Sequence, residues 1–253
     1  MIFNGVNLNH WFLIQRKERD LLPPQEIIRR SIPGRAGSIY VRKKENERIY
    51  PIQFFVWEHT KKSLRSKIHE IAQILDVNKP VPIKFLDDPK LTFYGMPVGE
   101  TSITETLTVG EGTIEFLFPS PYGYEEEKSV IVNVAGDPNI TIPRTGAGSE
   151  SPLIRGIPVP IKPTFEIEFE ESANEISITN ESTGETFRVV HNFHSGDRLV
   201  CNFRNRRIEL NGTLNQNIWD YTTKRWSLQP GDNQISVSPD VAKVTIKYRP
   251  AWK

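Results

Sequence analysis

Catalysis draws on few residue types, and in this 253-residue chain they fall at a handful of places. Glu166, Glu168 and Glu170 alternate, so on a strand they share one face. A pair of carboxyls flanking a glycosidic bond can act as acid and as nucleophile or base, but the second acid must come from across a cleft. No such partner is marked in the sequence, and a solvated face with Phe165, Ile167 and Phe169 inward explains the same alternation. His191, His194 and Cys201 are of metal-ligating type, yet two histidines at this spacing in a β region make a weak zinc signal. His194, Ser195 and Asp197 have the residue types of a nucleophilic triad. One tight turn holds all of them, which does not spread them into a nucleophile–base–orienter line. The chain contains no G-x-S-x-G, P-loop or G-x-G-x-x-G pattern, and Gly146-Ala147-Gly148 lacks the flanking strand, helix and lysine of a phosphate loop. The expectation is a protein that is not an enzyme, with no catalytic residue, metal site or cofactor.

Binding residues are better represented. Trp219, Tyr221, Trp226 and Trp252 make the C-terminal part aromatic. Aromatic rings exposed on a β-sandwich stack on sugars, and buried ones dominate its core, so each of Trp219, Tyr221 and Trp226 is a candidate for either role. Arg204, Arg206 and Arg207 could meet phosphates, but no aromatic RNA-binding pattern accompanies them. Specific nucleic-acid recognition is not expected.

Composition narrows the class. Cys201 is the single cysteine, which excludes an intrachain disulfide framework and suits a reducing compartment. No apolar run approaches the length of a membrane span, and the first twenty residues lack the charged-then-apolar order of a signal peptide, so a soluble chain is expected. The overall charge of +1 hides a gradient. Residues 1–86 carry 16 Lys/Arg and 8 Asp/Glu, whereas residues 87–128 carry 2 and 9. A basic region beside an acidic one suits head-to-tail contacts between copies; the counts by themselves are explained more simply by a solvated surface of uneven charge.

The elements that position these residues are mostly strands. Leu64, Ile68, Ile71 and Leu75 fall on one helical stripe, and they place a helix over about 60–76, capped by Thr60 and stopped by Asn78-Lys79-Pro80. Ahead of it, Ile32-Pro33-Gly34-Arg35-Ala36-Gly37-Ser38 is a turn between strand-like flanks, read as a hairpin arm within about 27–53. The arm holds Arg29, Arg30, Arg35, Arg42, Lys43, Lys44 and Arg48 against Glu45 and Glu47. So polar a hairpin is marginal alone, and it reads either as an arm lying on a neighbouring copy or as a solvated surface hairpin. Ile49–Trp57 reads as its return strand, with both faces largely apolar and therefore central and buried. Pro119–Lys128, with Glu125-Glu126-Glu127 as a hydrated linker, breaks the composition and divides residues 1–128 from 129–253. The second part has no helical period, only short strands separated by turns such as Asn211-Gly212, the pattern of a β-sandwich or jelly roll. Between Pro143 and Pro163 a Gly/Ser/Pro-rich segment reads as an exposed loop.

In order along the chain, FNGVNL, LLPPQEIIRRSIPGRAGS, LRSKIHEIAQIL, KFLDDPKLTFYGMPVG, FLFPSPYGY, FHSGDRLV, RRIELNG and WSLQPGDNQISV…YRPAW form a set. That set resembles the distal tail proteins of long-tailed, non-contractile bacteriophages, especially those infecting Gram-positive hosts. The resemblance implies a mainly β protein: an N-terminal β-sandwich-like domain with one α-helix and a long hairpin arm, then a galectin-like jelly roll. It implies a homo-hexameric ring at the virion tail tip, assembled in the host cytoplasm. The ring joins the major tail tube protein to the tail-associated spike or fibre protein and leaves a channel through which DNA passes without specific recognition. The arm residues matching the family's belt are Arg29, Arg30, Ile32, Pro33, Gly34, Arg35, Gly37, Tyr40, Arg42, Lys43 and Lys44. No membrane partner is implied. The runner-up reading is a carbohydrate-binding module that recognises host cell-wall glycans through Trp219, Tyr221 or Trp226.

Overall fold

Apolar residues recur at every second position along most of the chain, and that period sets the fold. A computed structural model describes residues 1–132, 139–142 and 159–253. It divides into two compact units, Met1–Gly123 with Lys253, and Tyr124–Trp252. The Gly/Ser/Pro-rich segment lies, up to Pro158, outside the described residues.

The first unit is built from β1 (Ile2–Phe3), β2 (Val6–Asn7), β3 (Leu13–Lys17), β4 (Gln25–Ser31), β5 (Ser38–Glu45), β6 (Arg48–Trp57), α1 (Lys61–Leu75), β7 (Val81–Phe85), β8 (Asp88–Thr106) and β9 (Val109–Phe118). Its main sheet runs β2-β1-β7-β8-β9-β6-β3. The β1–β2 turn is Asn4-Gly5, both at positive φ (47° and 83°), the conformation that two-residue hairpin turns require. Helix α1 opens with a capping box: Thr60 Oγ1 accepts from Ser63 N at 3.1 Å, and Ser63 Oγ accepts from Thr60 N at 3.2 Å. Its stripe does what the spacing predicts. Leu64 and Ile71 enter a core with Phe12, Phe54, Val56 and Phe116, while Ile68 and Leu75 pack at its margin.

Strand β6 departs from expectation. It is central in hydrogen bonding, between β9 and β3, but of its apolar residues only Tyr50, Ile52, Phe54 and Val56 are buried in the core, on the face that also carries buried Arg48. The alternate residues Ile49 and Trp57 are exposed, Trp57 by 52%. A strand flanked by partners on both edges can still have one face in water when a single layer covers the sheet. Nor is β6 the return strand of the hairpin. That role falls to β5, and β6 belongs to the body sheet.

The second unit contains β10 (Gly123–Tyr124, at the division), β11 (Lys128–Val132), β12 (Asn139–Ile142), β13 (Thr164–Phe169), β14 (Ala173–Asn180), β15 (Glu185–Phe193), β16 (Arg198–Asn202), β17 (Arg207–Leu210), β18 (Thr213–Leu214), β19 (Gly231–Ser238), β20 (Ala242–Tyr248) and β21 (Ala251–Trp252). One sheet runs β11-β20-β13-β16-β17-β18 and the other β12-β19-β14-β15, every pairing antiparallel. Phe165, Ile167 and Phe169 of one sheet share a core with Ile176, Ile178, Phe187 and Val189 of the other, the two-layer sandwich that the alternation predicts. Two asparagines are fully buried there. Asn180 Nδ2 donates to Asn233 Oδ1 at 3.1 Å, and Asn233 Nδ2 donates to the carbonyls of Gln229 and Gly231, so their amides are desolvated with partners in place. Glu125 is also more than a hydrated linker residue. Its Oε1 accepts from the indole N–H of buried Trp252 at 2.8 Å.

Candidate functional site

Strands β4 and β5 form a two-stranded sheet of their own. Their register runs from Gln25↔Glu45 to Ser31↔Ser38, with a bulge between Ile28 and Arg29. The tip turns through Gly34 and Gly37 at φ of 80° and 84°, where a Cβ would be strained, and Arg35 N donates to Ile32 O at 3.2 Å. Nearly every side chain along both strands is exposed, including the large apolar ones: Ile27 by 61%, Tyr40 by 63% and Val41 by 54%. Arg29, Arg30, Arg35, Arg42, Lys43 and Lys44 are exposed beside them.

The base of the hairpin is fixed to its own unit. Asn46 N donates to Pro24 O at 2.8 Å. The Glu45 carboxylate accepts from the Tyr122 hydroxyl at 2.6 Å and from Lys253 Nζ. Burial alone would raise the Glu45 pKa; the hydrogen bonds from Lys253 and Tyr122 outweigh it and hold the group below its ordinary value. Just beyond, Arg48 is only 4% exposed, and its Nη1 donates to the Tyr50 hydroxyl at 2.6 Å. Sequence reasoning missed the Glu45 clamp, and no local signal marks it.

Several of the residues singled out for catalysis are engaged otherwise, while Glu168 and Glu170 are exposed. Glu166 pairs with Lys247 Nζ at 2.6 Å and Arg198 Nη2 at 3.3 Å. The Lys247 hydrogen bond and both positive charges keep its carboxyl below the ordinary range, the reverse of what a general acid needs. Cys201 lies in the sandwich core, where desolvation pushes its thiol pKa up. Asp197 accepts from Asn211 Nδ2 at 2.8 Å and from His194 N at 2.7 Å, which ties its carboxylate to the turn and lowers its pKa.

The aromatic candidates separate. Trp226 is 2% exposed, wedged edge-on to Phe165 and Phe203, and its indole N–H donates to Ile178 O at 3.2 Å. It belongs to the core and has no face to offer a sugar. Trp219 and Tyr221 pair at the surface with centroids 4.7 Å apart, and Tyr221 is 66% exposed. Of the basic run, Arg204 lies 5.2 Å from the Tyr124 ring centroid and Arg207 pairs with Glu209 at 3.3 Å.

Comparison with known proteins now applies to both units. Residues 11–118 match the family model for the phage tail protein RIFT-related domain, and residues 158–252 match that for the siphovirus-type tail component, C-terminal domain. The distal tail protein of Bacillus phage SPP1 is 27% identical over 216 residues, spanning 84% of this chain and 80% of the relative. The chain belongs to the distal tail protein family. Like other distal tail proteins it is a component of the phage tail. The solved structure of the SPP1 protein, described as a paradigm of the hub adsorption apparatus in Gram-positive-infecting phages, superposes with a TM-score of 0.81 at 20% identity, covering 100% of this chain and 98% of the other. That likeness shows a common fold. A chain of the phage P2 baseplate aligns at a TM-score of 0.46 and 8% identity, over 93% and 90% of the two chains.

Proposed function

We propose that this distal tail protein is the structural hub of the tail tip, six copies closing a ring between the tail tube and the spike or fibre protein, with a channel left open for DNA. The observation that carries this reading is the β4–β5 hairpin. It is fixed at its base, paired with no other strand among the described residues, and exposes Ile27, Tyr40 and Val41 along its length. A two-stranded ribbon with its apolar side chains in water is marginal, and ordering it becomes favourable when another surface covers them. Arg29, Arg30, Ile32, Arg35, Tyr40, Arg42, Lys43 and Lys44 would then form the contact with the next copy, residue sets from two different faces meeting head to tail. Such heterologous contacts close into rings when the rotation per copy divides the circle.

The test is the mass and shape of the purified chain. Light scattering at a mass six times the 29.0 kDa of one chain, with ring-shaped particles in electron micrographs, is the expected result. A monomer at every concentration and ionic strength would overturn the ring. Engagement of the tube and spike proteins is tested separately, by mixing the ring with each and following co-sedimentation.

A further inference from the structure

We infer that Asn4 is a site of spontaneous covalent ageing, converting to aspartate and isoaspartate, and that Asn211 is protected from the same change by a clamp on its side chain. The chain contains two Asn-Gly pairs, Asn4-Gly5 and Asn211-Gly212. A glycine after asparagine leaves the following amide nitrogen unshielded. That nitrogen attacks the asparagine Cγ, so that an N–Cγ bond forms and the Cγ–Nδ2 bond breaks. The glycine N–H proton departs with Nδ2 as ammonia, and a cyclic succinimide remains. Water then opens the ring. Addition at the side-chain carbonyl gives aspartate; addition at the main-chain carbonyl gives isoaspartate, whose backbone is longer by one methylene. The balance is asparagine plus water giving acid plus ammonia, with neither an oxidant nor an enzyme required.

The two turns match in most of what sets this rate. Each is a two-residue turn between antiparallel strands, with Asn4 at φ 47° and Asn211 at φ 52°, and their glycines at 83° and 79°. Both asparagines and both glycines are exposed, and a Cβ added to either glycine would meet nothing within 4 Å. Each asparagine's main-chain N–H is held: Asn4 N donates to Pro82 O at 2.9 Å and Asn211 N to Arg198 O at 2.8 Å. The side chains differ. Asn211 Oδ1 accepts from Arg198 N at 2.8 Å, and its Nδ2 donates to Asp197 Oδ1 at 2.8 Å. Asp197 is fixed in turn through Oδ2, which accepts from His194 N at 2.7 Å. This grip ties down both the carbonyl to be attacked and the nitrogen to be expelled. Among the described residues the Asn4 amide makes no hydrogen bond, so its Cγ is free to turn toward Gly5 N. Releasing two hydrogen bonds, one of them to a carboxylate, lowers the reactive population of Asn211 by about tenfold or more. The place of Asn4 gives its conversion a structural effect. The turn carries the Phe3↔Val6 pair, and Phe3 is fully buried with its ring centroid 5.8 Å from that of Phe116. An added methylene no longer fits a two-residue turn whose geometry follows the strand twist, and it strains the seat of Phe3. A component of a finished tail is not resynthesised, so the product accumulates with age.

The experiment is peptide mapping by mass spectrometry of the full chain, incubated folded in mildly alkaline buffer beside a sample unfolded in urea. Conversion is read at each asparagine from the mass change on replacing NH2 by OH. In the folded chain Asn4 should convert about tenfold or more faster than Asn211. In urea the clamp is gone, and the two rates should converge. Asp197→Ala should speed conversion at Asn211 in the folded chain and leave that at Asn4 unchanged; if this variant unfolds, the wild-type comparison between buffer and urea carries the test. Aged wild-type chain should unfold at lower urea than fresh chain. Asn4→Gly, which accepts the φ of 47°, should remove that difference. Equal folded rates, faster conversion at Asn211, or a ratio that persists in urea would each overturn the assignment. An aged chain that unfolds at the same urea concentration as the fresh one would overturn the effect on Phe3.

Discussion

Replacing Glu45 by Gln keeps the shape of the side chain and removes its charge, at the point where the hairpin joins the body. In the native chain the carboxylate accepts from Tyr122 and Lys253, with its side chain 14% exposed and that of Lys253 23%. The amide retains one acceptor oxygen and turns an NH2 group toward one of the two donors, so at least one charge-assisted hydrogen bond is lost. Such a bond contributes about 1.5–3 kcal/mol when shielded, and residual solvent exposure places this one toward the lower end, about 1.5–2 kcal/mol. That is roughly a ten- to thirtyfold change in the opening equilibrium of the hairpin base. The effect also depends on pH. Because the folded pKa lies below the ordinary 4.5, the Glu45 contribution is fully present above that value and is lost as pH falls through the folded one. Hydrogen exchange at Asn46, whose N–H closes the base onto Pro24, reads the opening directly, and urea unfolding reads the global effect. At about pH 7 the variant should exchange faster by the factor given, and the gap should narrow as the pH falls through the folded pKa of Glu45. Identical exchange at neutral pH, or a gap that persists undiminished in acid, would refute the reasoning.

Further outcomes follow from other features. Deleting Arg30 to Lys44 should leave both units folded by circular dichroism yet poorly assembling in light scattering, and wild-type assembly should weaken mildly with salt, since exposed charges are screened beyond about 8–10 Å at physiological ionic strength. Gly112→Ala should destabilise the first unit by about 1–3 kcal/mol in urea unfolding, because the new Cβ would sit 2.5 Å from the Ser102 carbonyl oxygen and 2.9 Å from the Phe54 ring. Trp226→Ala should cost about 3–5 kcal/mol by the same measurement, against less than about 0.5 kcal/mol for Tyr221→Ala, which separates the core aromatic from the surface one. Thr60→Ala should remove the capping box and about 1 kcal/mol.

Most of the fold was legible because its causes are local. The Leu64–Leu75 stripe, the Thr60 cap, the Asn4-Gly5 turn and the Phe165/Ile167/Phe169 alternation each follow from residues within a few positions of one another. The β6 error arose because a strand pattern reports side-chain type and leaves open how many layers cover the sheet; Ile49, Phe55 and Trp57 fit an inner face as well as an outer one. Trp219, Tyr221 and Trp226 lie in one short stretch and differ in fate through contacts to distant strands: Trp226 reaches the Ile178 carbonyl 48 residues away. The Glu45–Lys253 clamp joins residues 208 apart, and nothing near either position announces the other.

The β4–β5 ribbon bears on how newly made chains meet one another. Among the described residues neither of its long edges pairs with another strand, and isoleucine, tyrosine and valine lie along it, the makings of a seed for edge-to-edge stacking of newly made chains. The arginines and lysines spaced along those same edges set two such ribbons against each other by mutual repulsion. What would be an adhesive strip is thereby kept from its own kind.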